Sequence, residues 1–171
     1  RTRGVAVPRV IHAYRQADQA MSDTTDSKSI LDSSDLVAAV PYAAYLDIRI
    51  EPAEHDAARV YRMPYRDELI GSPRLPALHG GTVASLLELA MQFEVLIAEA
   101  QTRLPYPVDF SIDYWRSAAA ADCWCQCRLI RSGRRIAQVQ AECWQDDRER
   151  PIAFARADFL LRAVDGASEA E

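Results

Sequence analysis

The sequence predicts an α+β fold in which one antiparallel sheet wraps around one long central helix. Three observations predict it. One segment, about Thr82 to Ala100, is apolar around most of a helical circumference. The segments after Pro105 switch to a period of two, the signature of strands. The small faces of those strands, chiefly Ala, Cys and Val, suit a sheet curled closely around a helix.

Taken in order, residues 1–33 are polar, with a Ser/Thr/Asp cluster at 22–29. They read as a disordered segment or one foreign to the native chain, and Met21 of "MSDTTDSKS" would make a natural start. The folded domain is expected over 34–165, with 166–171 a disordered tail. Ser34 or Asp35 is placed to cap a short helix, "LVAAVPYAAYL", which Pro41 breaks or redirects. Two modest strands follow, in "YLDIRIEP" and "AARVYRMPYR". "IGSPRLPALHGG" reads as a Gly/Pro loop. The central helix then presents Val83, Leu86, Leu87, Ala90, Phe93 and Ile97 as a broad apolar face. Its polar arc is narrow: Ser85, Gln92 and Glu99, with Glu88 at the edge. Four strands come last, in "PVDFSIDYWR", "ADCWCQCRLIR", "RRIAQVQAECWQ" and "PIAFARADFLLR". Ser132-Gly133 and "DDRER" mark hairpin turns between them.

Composition narrows the function. The chain has 171 residues, a length for one domain, and its formal charge of -5 argues against a nucleic-acid partner. No run approaches the ~20 apolar residues of a membrane span, so no membrane partner is expected. Cys123, Cys125 and Cys127 alternate along one strand face, and Cys143 stands apart. Zinc sites want wider spacing and a second ligand pair. The favoured reading is buried, reduced thiols in a reducing compartment, the cytoplasm. The serine-hydrolase elbow, the Walker loop, the Rossmann fingerprint and the H-E-x-x-H motif are all absent from the sequence.

The remaining feature is His79-Gly80-Gly81 at the mouth of the central helix, followed by Glu88 nine positions after the histidine. With a long helix and a wrapping antiparallel sheet, this pattern resembles the hotdog-fold acyl-CoA thioesterases of the phenylacetate-degradation type. "DFSIDYWR" and "RLIRSGRRIAQVQAECW" share the resemblance, which spans about Val37 to Leu161. It implies hydrolysis of an acyl-CoA to a carboxylic acid and CoA. Glu88 would be nucleophile or general base. The Gly81 N–H, helped by Gly80, would polarise the thioester carbonyl, and His79 would orient the loop. Tyr114 and the turn with Gly133, Arg134 and Arg135 would contact CoA. The family assembles as a homodimer or dimer of dimers, with the site between two subunits. Two positions depart from the family pattern: Ser72, where many relatives place Asn, and Pro107, near a relative's water-holding Ser or Thr. They motivate the alternative reading, a non-catalytic acyl-CoA-binding protein.

The chemistry suits the residues. Negative charge develops on the thioester oxygen, and free N–H groups at a helix start stabilise it. Glycine lets the backbone approach without a Cβ in the way. A carboxylate then attacks or draws a proton from water. Thiolate is a good leaving group, so neither metal nor cofactor is called for. Glu88 lies ~10 Å into the helix at 1.5 Å per residue, too far to share one carbonyl with Gly81 of its own helix. Two antiparallel helices across a twofold would bring one subunit's Gly81 to the other's Glu88. Composition alone would leave Glu88 in the polar arc; its spacing from His79 favours catalysis. Glu94 sits on the apolar row, and a structural or interface role is favoured for it. Arg131 joins Arg134 and Arg135 in a basic turn suited to CoA phosphates or to solvent alone.

Overall fold

The computed structural model describes residues 33–51, 59–72, 74–101 and 103–161. The expected disordered segment, apart from Ser33, and the expected tail lie outside the described residues. Two short helices open the fold, α1 (Ser33–Ala38) and α2 (Pro41–Tyr45). Pro41 stands at the start of α2, where a missing N–H costs nothing. Two short strands follow, β1 (Arg49–Glu51) and β2 (Val60–Met63).

The stretch expected to be a loop instead contains a small hairpin, β3 (Ile70–Ser72) and β4 (Leu75–Leu78). Its strands are too short, and too rich in Pro and Gly, to show a period of two. The hairpin aims His79. The His79 N–H donates to the Leu69 carbonyl at 2.8 Å, and the Leu78 N–H donates to the Ala118 carbonyl at 2.9 Å. Gly71 is required here, because a Cβ on it would stand 2.9 Å from the His79 Cα.

The central helix, α3 (Gly80–Ala98), begins two residues earlier than expected. Both glycines of the motif therefore lie inside its first turn. Four strands follow: β5 (Tyr106–Tyr114), β6 (Cys123–Ser132), β7 (Ile136–Trp144) and β8 (Ala153–Leu160). The main sheet is antiparallel, with order β1-β2-β6-β7-β8-β5. Strands β6, β7 and β8 are the expected successive hairpins. Strand β5 does not pair with β6; it crosses to the outside of β8 and forms one edge of the sheet.

The α3 helix lies against the inner face of β6, β7 and β8. Cys123, Cys125, Cys127, Ala137, Val139, Ala141, Cys143, Ala153, Ala155 and Ala157 are all buried there. Such small side chains let the backbones approach, so a bulky helix face (Leu86, Leu87, Met91, Phe93) is fully buried against them. By length and composition α3 would pass for a membrane-crossing helix, with a mean hydropathy of 1.4. That composition serves the sheet that surrounds it. All four cysteines are free and buried. Burial pushes the Cys125 thiol well above its usual range, and a hydrogen bond with Cys123, followed by burial, does the same for Cys143.

Glu94 is explained by its partners. Its side chain is 12% exposed, and Oε1 accepts from Arg59 Nη1 at 2.9 Å. Oε2 accepts from the buried Tyr61 hydroxyl at 2.8 Å. Burial pushes the Tyr61 phenol far up, so it remains the donor. The carboxylate fastens α3 to β2 and the residue before it.

Candidate active site

The mouth of α3 is built from His79 outwards. His79 is the N-cap, with φ -64 and ψ 130, an extended conformation. Its carbonyl accepts from the Thr82 N–H at 2.9 Å and from Thr82 Oγ1 at 2.7 Å. Its ring Nδ1 accepts from the Gly81 N–H at 2.9 Å. This is the bond that Ser or Asp makes at an ordinary N-cap, here supplied by imidazole. An accepting Nδ1 carries no proton, which places the neutral ring's hydrogen on Nε2.

The cap reorders the two glycines. Gly81, expected to make the leading contact with the carbonyl, has its N–H occupied by His79. Among the described residues no acceptor takes the Gly80 N–H, the first of the helix. The Gly80 carbonyl is held by Tyr114, whose hydroxyl donates to it at 2.7 Å. A Cβ on Gly80 would lie 3.4 Å from that hydroxyl, ordinary contact distance, and one on Gly81 only 2.8 Å from the His79 Nδ1. Tyr114 was expected to touch CoA; its hydroxyl is bonded to the helix mouth.

Glu88 lies eight residues beyond Gly80, about 12 Å along the axis. It is half-buried, and burial raises its carboxyl above the usual range. No hydrogen-bond or ion-pair partner holds it among the described residues, unlike Glu94. It shares a helix face with Gly81, Ser85 and Gln92. That arc runs along β5: Gln92 Nε2 donates to the Pro105 carbonyl at 3.0 Å, while Tyr114 holds the other end. Gln92, one turn beyond Glu88, is a site neighbour that the spacing made legible but the sequence reading used only as polar surface.

The other expected residues lie apart. Ser72 sits at the tip of the β3–β4 hairpin, where its Oγ accepts from the Arg74 N–H at 3.3 Å. The tip pair Ser72–Leu75 is three residues from Leu78, about 10 Å at strand rise. Gly133, Arg134 and Arg135 form the β6–β7 turn and, with Arg131, Gln138 and Asp158, line a surface groove of about 420 Å³. That turn is level with Leu160 of β8, whereas Tyr114 is level with Ala153. Seven residues of strand separate the two ends, about 23 Å.

The fold and this helix mouth define a hotdog thioesterase. The acyl-CoA thioesterase N-terminal domain family matches residues 72–160, and the chain belongs to that family, one of thioester hydrolases. Solved structures share the fold. A thioesterase from Haemophilus influenzae superposes with a TM-score of 0.69 at 16% identity, over 83% of this chain and 98% of its own. A protein from Chromobacterium violaceum gives 0.63 at 27% identity, over 90% and 99%. A phenylacetic acid degradation-related protein from Ralstonia eutropha gives 0.61 at 18%, over 85% and 98%. No curated protein sequence matches the chain.

Proposed function

We propose that this protein hydrolyses acyl-CoA thioesters to a carboxylic acid and CoA. The Gly80 N–H leads in polarising the carbonyl, and the Gly81 N–H joins it when the His79 ring releases it. Glu88 takes a proton from water as the water attacks the carbonyl carbon, or attacks that carbon itself. Either way the carbon–sulfur bond breaks and CoA leaves as thiolate; in the second route water then hydrolyses the mixed anhydride on Glu88, which frees the carboxylic acid and restores the carboxylate. The observation that carries this reading is the pairing of an N–H without an acceptor at a helix start with an unpartnered, half-buried carboxylate on the same helix.

The site is completed by a second copy. About 12 Å separates Gly80 from Glu88 within one helix, so one thioester meets both only across two subunits. The β5 edge supports this pairing. It has no strand partner on its outer side among the described residues, and it carries Val108 58% exposed and Tyr114 51% exposed. Long apolar edges of this kind are normally covered. Antiparallel pairing of two β5 edges sets the Tyr106 end of one chain beside the Tyr114 end of its partner. The arginine turn of one subunit then approaches the helix mouth of the other, where Arg131, Arg134 and Arg135 can take CoA phosphates. A dimer of dimers is compatible with the same pairing. The four free cysteines support a reducing compartment, the cytoplasm.

The test is release of free CoA from a panel of acyl-CoAs, with the oligomeric state read by sedimentation. At least one substrate is expected to turn over, with a dimer or tetramer in solution. CoA binding without turnover of any substrate would select the non-catalytic reading, which the uptake of Ser72 by its own turn favours.

A further inference from the structure

Beside the helix mouth lies a cavity of about 130 Å³. Its floor is Leu78, Val83, Ala118 and Ile152, all buried, and Gly80 and Tyr114 stand at its edge. It is the space that a group attached to a carbonyl at the Gly80 N–H enters first. We infer that this cavity holds the acyl group and restricts the enzyme to short acyl chains, a reading that rests on the thioesterase function proposed above.

Size and chemistry carry the inference. The volume is slightly below that of an apolar cavity of about 150 Å³ that takes up one benzene, so it holds about six carbon atoms. The buried lining offers only aliphatic carbon; the exposed Arg116 and Ser117 also line the cavity, and the Arg116 guanidinium donates to the Pro151 carbonyl at 2.6 Å. Ile152, one of the buried lining residues, lies just before β8. The Ile152 N–H donates to the Cys143 carbonyl at 2.7 Å, and its carbonyl accepts from the N–H groups of Trp115 and Arg116 at 2.8 and 3.1 Å. This backbone is pinned on both sides, so the lining there does not give way to a longer chain. Ile152 and Ala118 are therefore the specificity-determining positions. The cavity and the Gly80 N–H belong to one chain, whereas Glu88 reaches the same carbonyl from the other.

The test is kcat/KM across straight-chain acyl-CoAs from acetyl to dodecanoyl, with benzoyl-CoA alongside. Each buried methylene is worth about a fourfold gain. The gain is expected to stop at about six carbons, and decanoyl-CoA should then fall at least about tenfold below the optimum. Ile152→Ala should move the break to longer chains and Ala118→Val to shorter ones, with benzoyl-CoA lost in the latter. A rate that keeps rising to dodecanoyl overturns the inference, as do variants that scale every chain length equally. The thioesterase reading itself fails separately, through absence of turnover for every substrate. In that case calorimetric binding of S-alkyl-CoA thioethers still locates the break if the cavity holds the chain, and a series without a break overturns it.

Discussion

Replacing Glu88 by Gln is expected to lower kcat by about 10²–10⁴-fold, the range that a positioned acid or base supplies. Gln keeps the size of the side chain and removes only the basicity and nucleophilicity, so KM should change little and the fold should persist. The variant should be no less stable than the parent. Burial raises the Glu88 carboxyl, so the folded chain holds that proton more tightly than the unfolded chain. The sign follows from linkage: this contribution favours folding below the unfolded value and is lost as pH rises through the folded one. At neutral pH the ionised Glu88 therefore works against the fold, and Gln relieves that cost, a familiar exchange of stability for function. The same direction governs rate. A base must be deprotonated, so the acid limb of the kcat/KM profile should have its midpoint above 4.5, the ordinary value for Glu. It should disappear from whatever activity the Gln variant retains. A profile with its midpoint at or below the ordinary value would remove the half-buried Glu88 as the titrating base.

Glu94→Ala should do the opposite. It should lower stability by about 2–3 kcal/mol, because it leaves two groups without their acceptor. The Tyr61 hydroxyl is buried and loses its partner, and Arg59 loses its carboxylate. Arg59 is 37% exposed, so water takes back part of its charge. For a chain of this size that loss corresponds to roughly 5–10 °C in Tm. Activity per folded molecule should survive at temperatures well below the transition. Thermal denaturation and kinetics on the same preparation check both halves. A Glu94→Ala variant with unchanged Tm would show that the Arg59–Glu94–Tyr61 network carries no stability.

These opposite expectations for two acids six residues apart show what the sequence made legible. Periodicity identified the long helix, its apolar face and the small inward faces of β6, β7 and β8, because side-chain alternation is a local property. Glu88 was singled out by its spacing to His79, and the structure leaves it half-buried with no partner among the described residues. The partners of Glu94 were not legible, since Arg59 and Tyr61 lie more than thirty residues away and meet it only through the pairing of β2 with β6. The β3–β4 hairpin was invisible because its strands are held by His79, Leu69 and Ala118 and not by a pattern of their own. That the Gly81 N–H is taken while the Gly80 N–H is not also depended on tertiary detail. It follows from where the helix begins and from the choice of His79 Nδ1 as the cap. The crossing of β5 to β8 was hidden for a related reason: chain order records hairpins, and this connection is not one.

The central claim is that one subunit's Gly80 works with the other subunit's Glu88, and mixing two inactive variants tests it most directly. Gly80→Val fills the space beside the Tyr114 hydroxyl and blocks the oxyanion contact, while Glu88→Gln removes the base. Each variant alone should be inactive. Unfolded and refolded together in equal amounts, half of the dimers would be mixed, and each mixed dimer would hold one wholly wild-type site. About a quarter of wild-type activity should return, as twofold symmetry requires. Recovery of none, with mixed dimers demonstrated by mass spectrometry, would place both groups of a working site on a single chain and contradict the account.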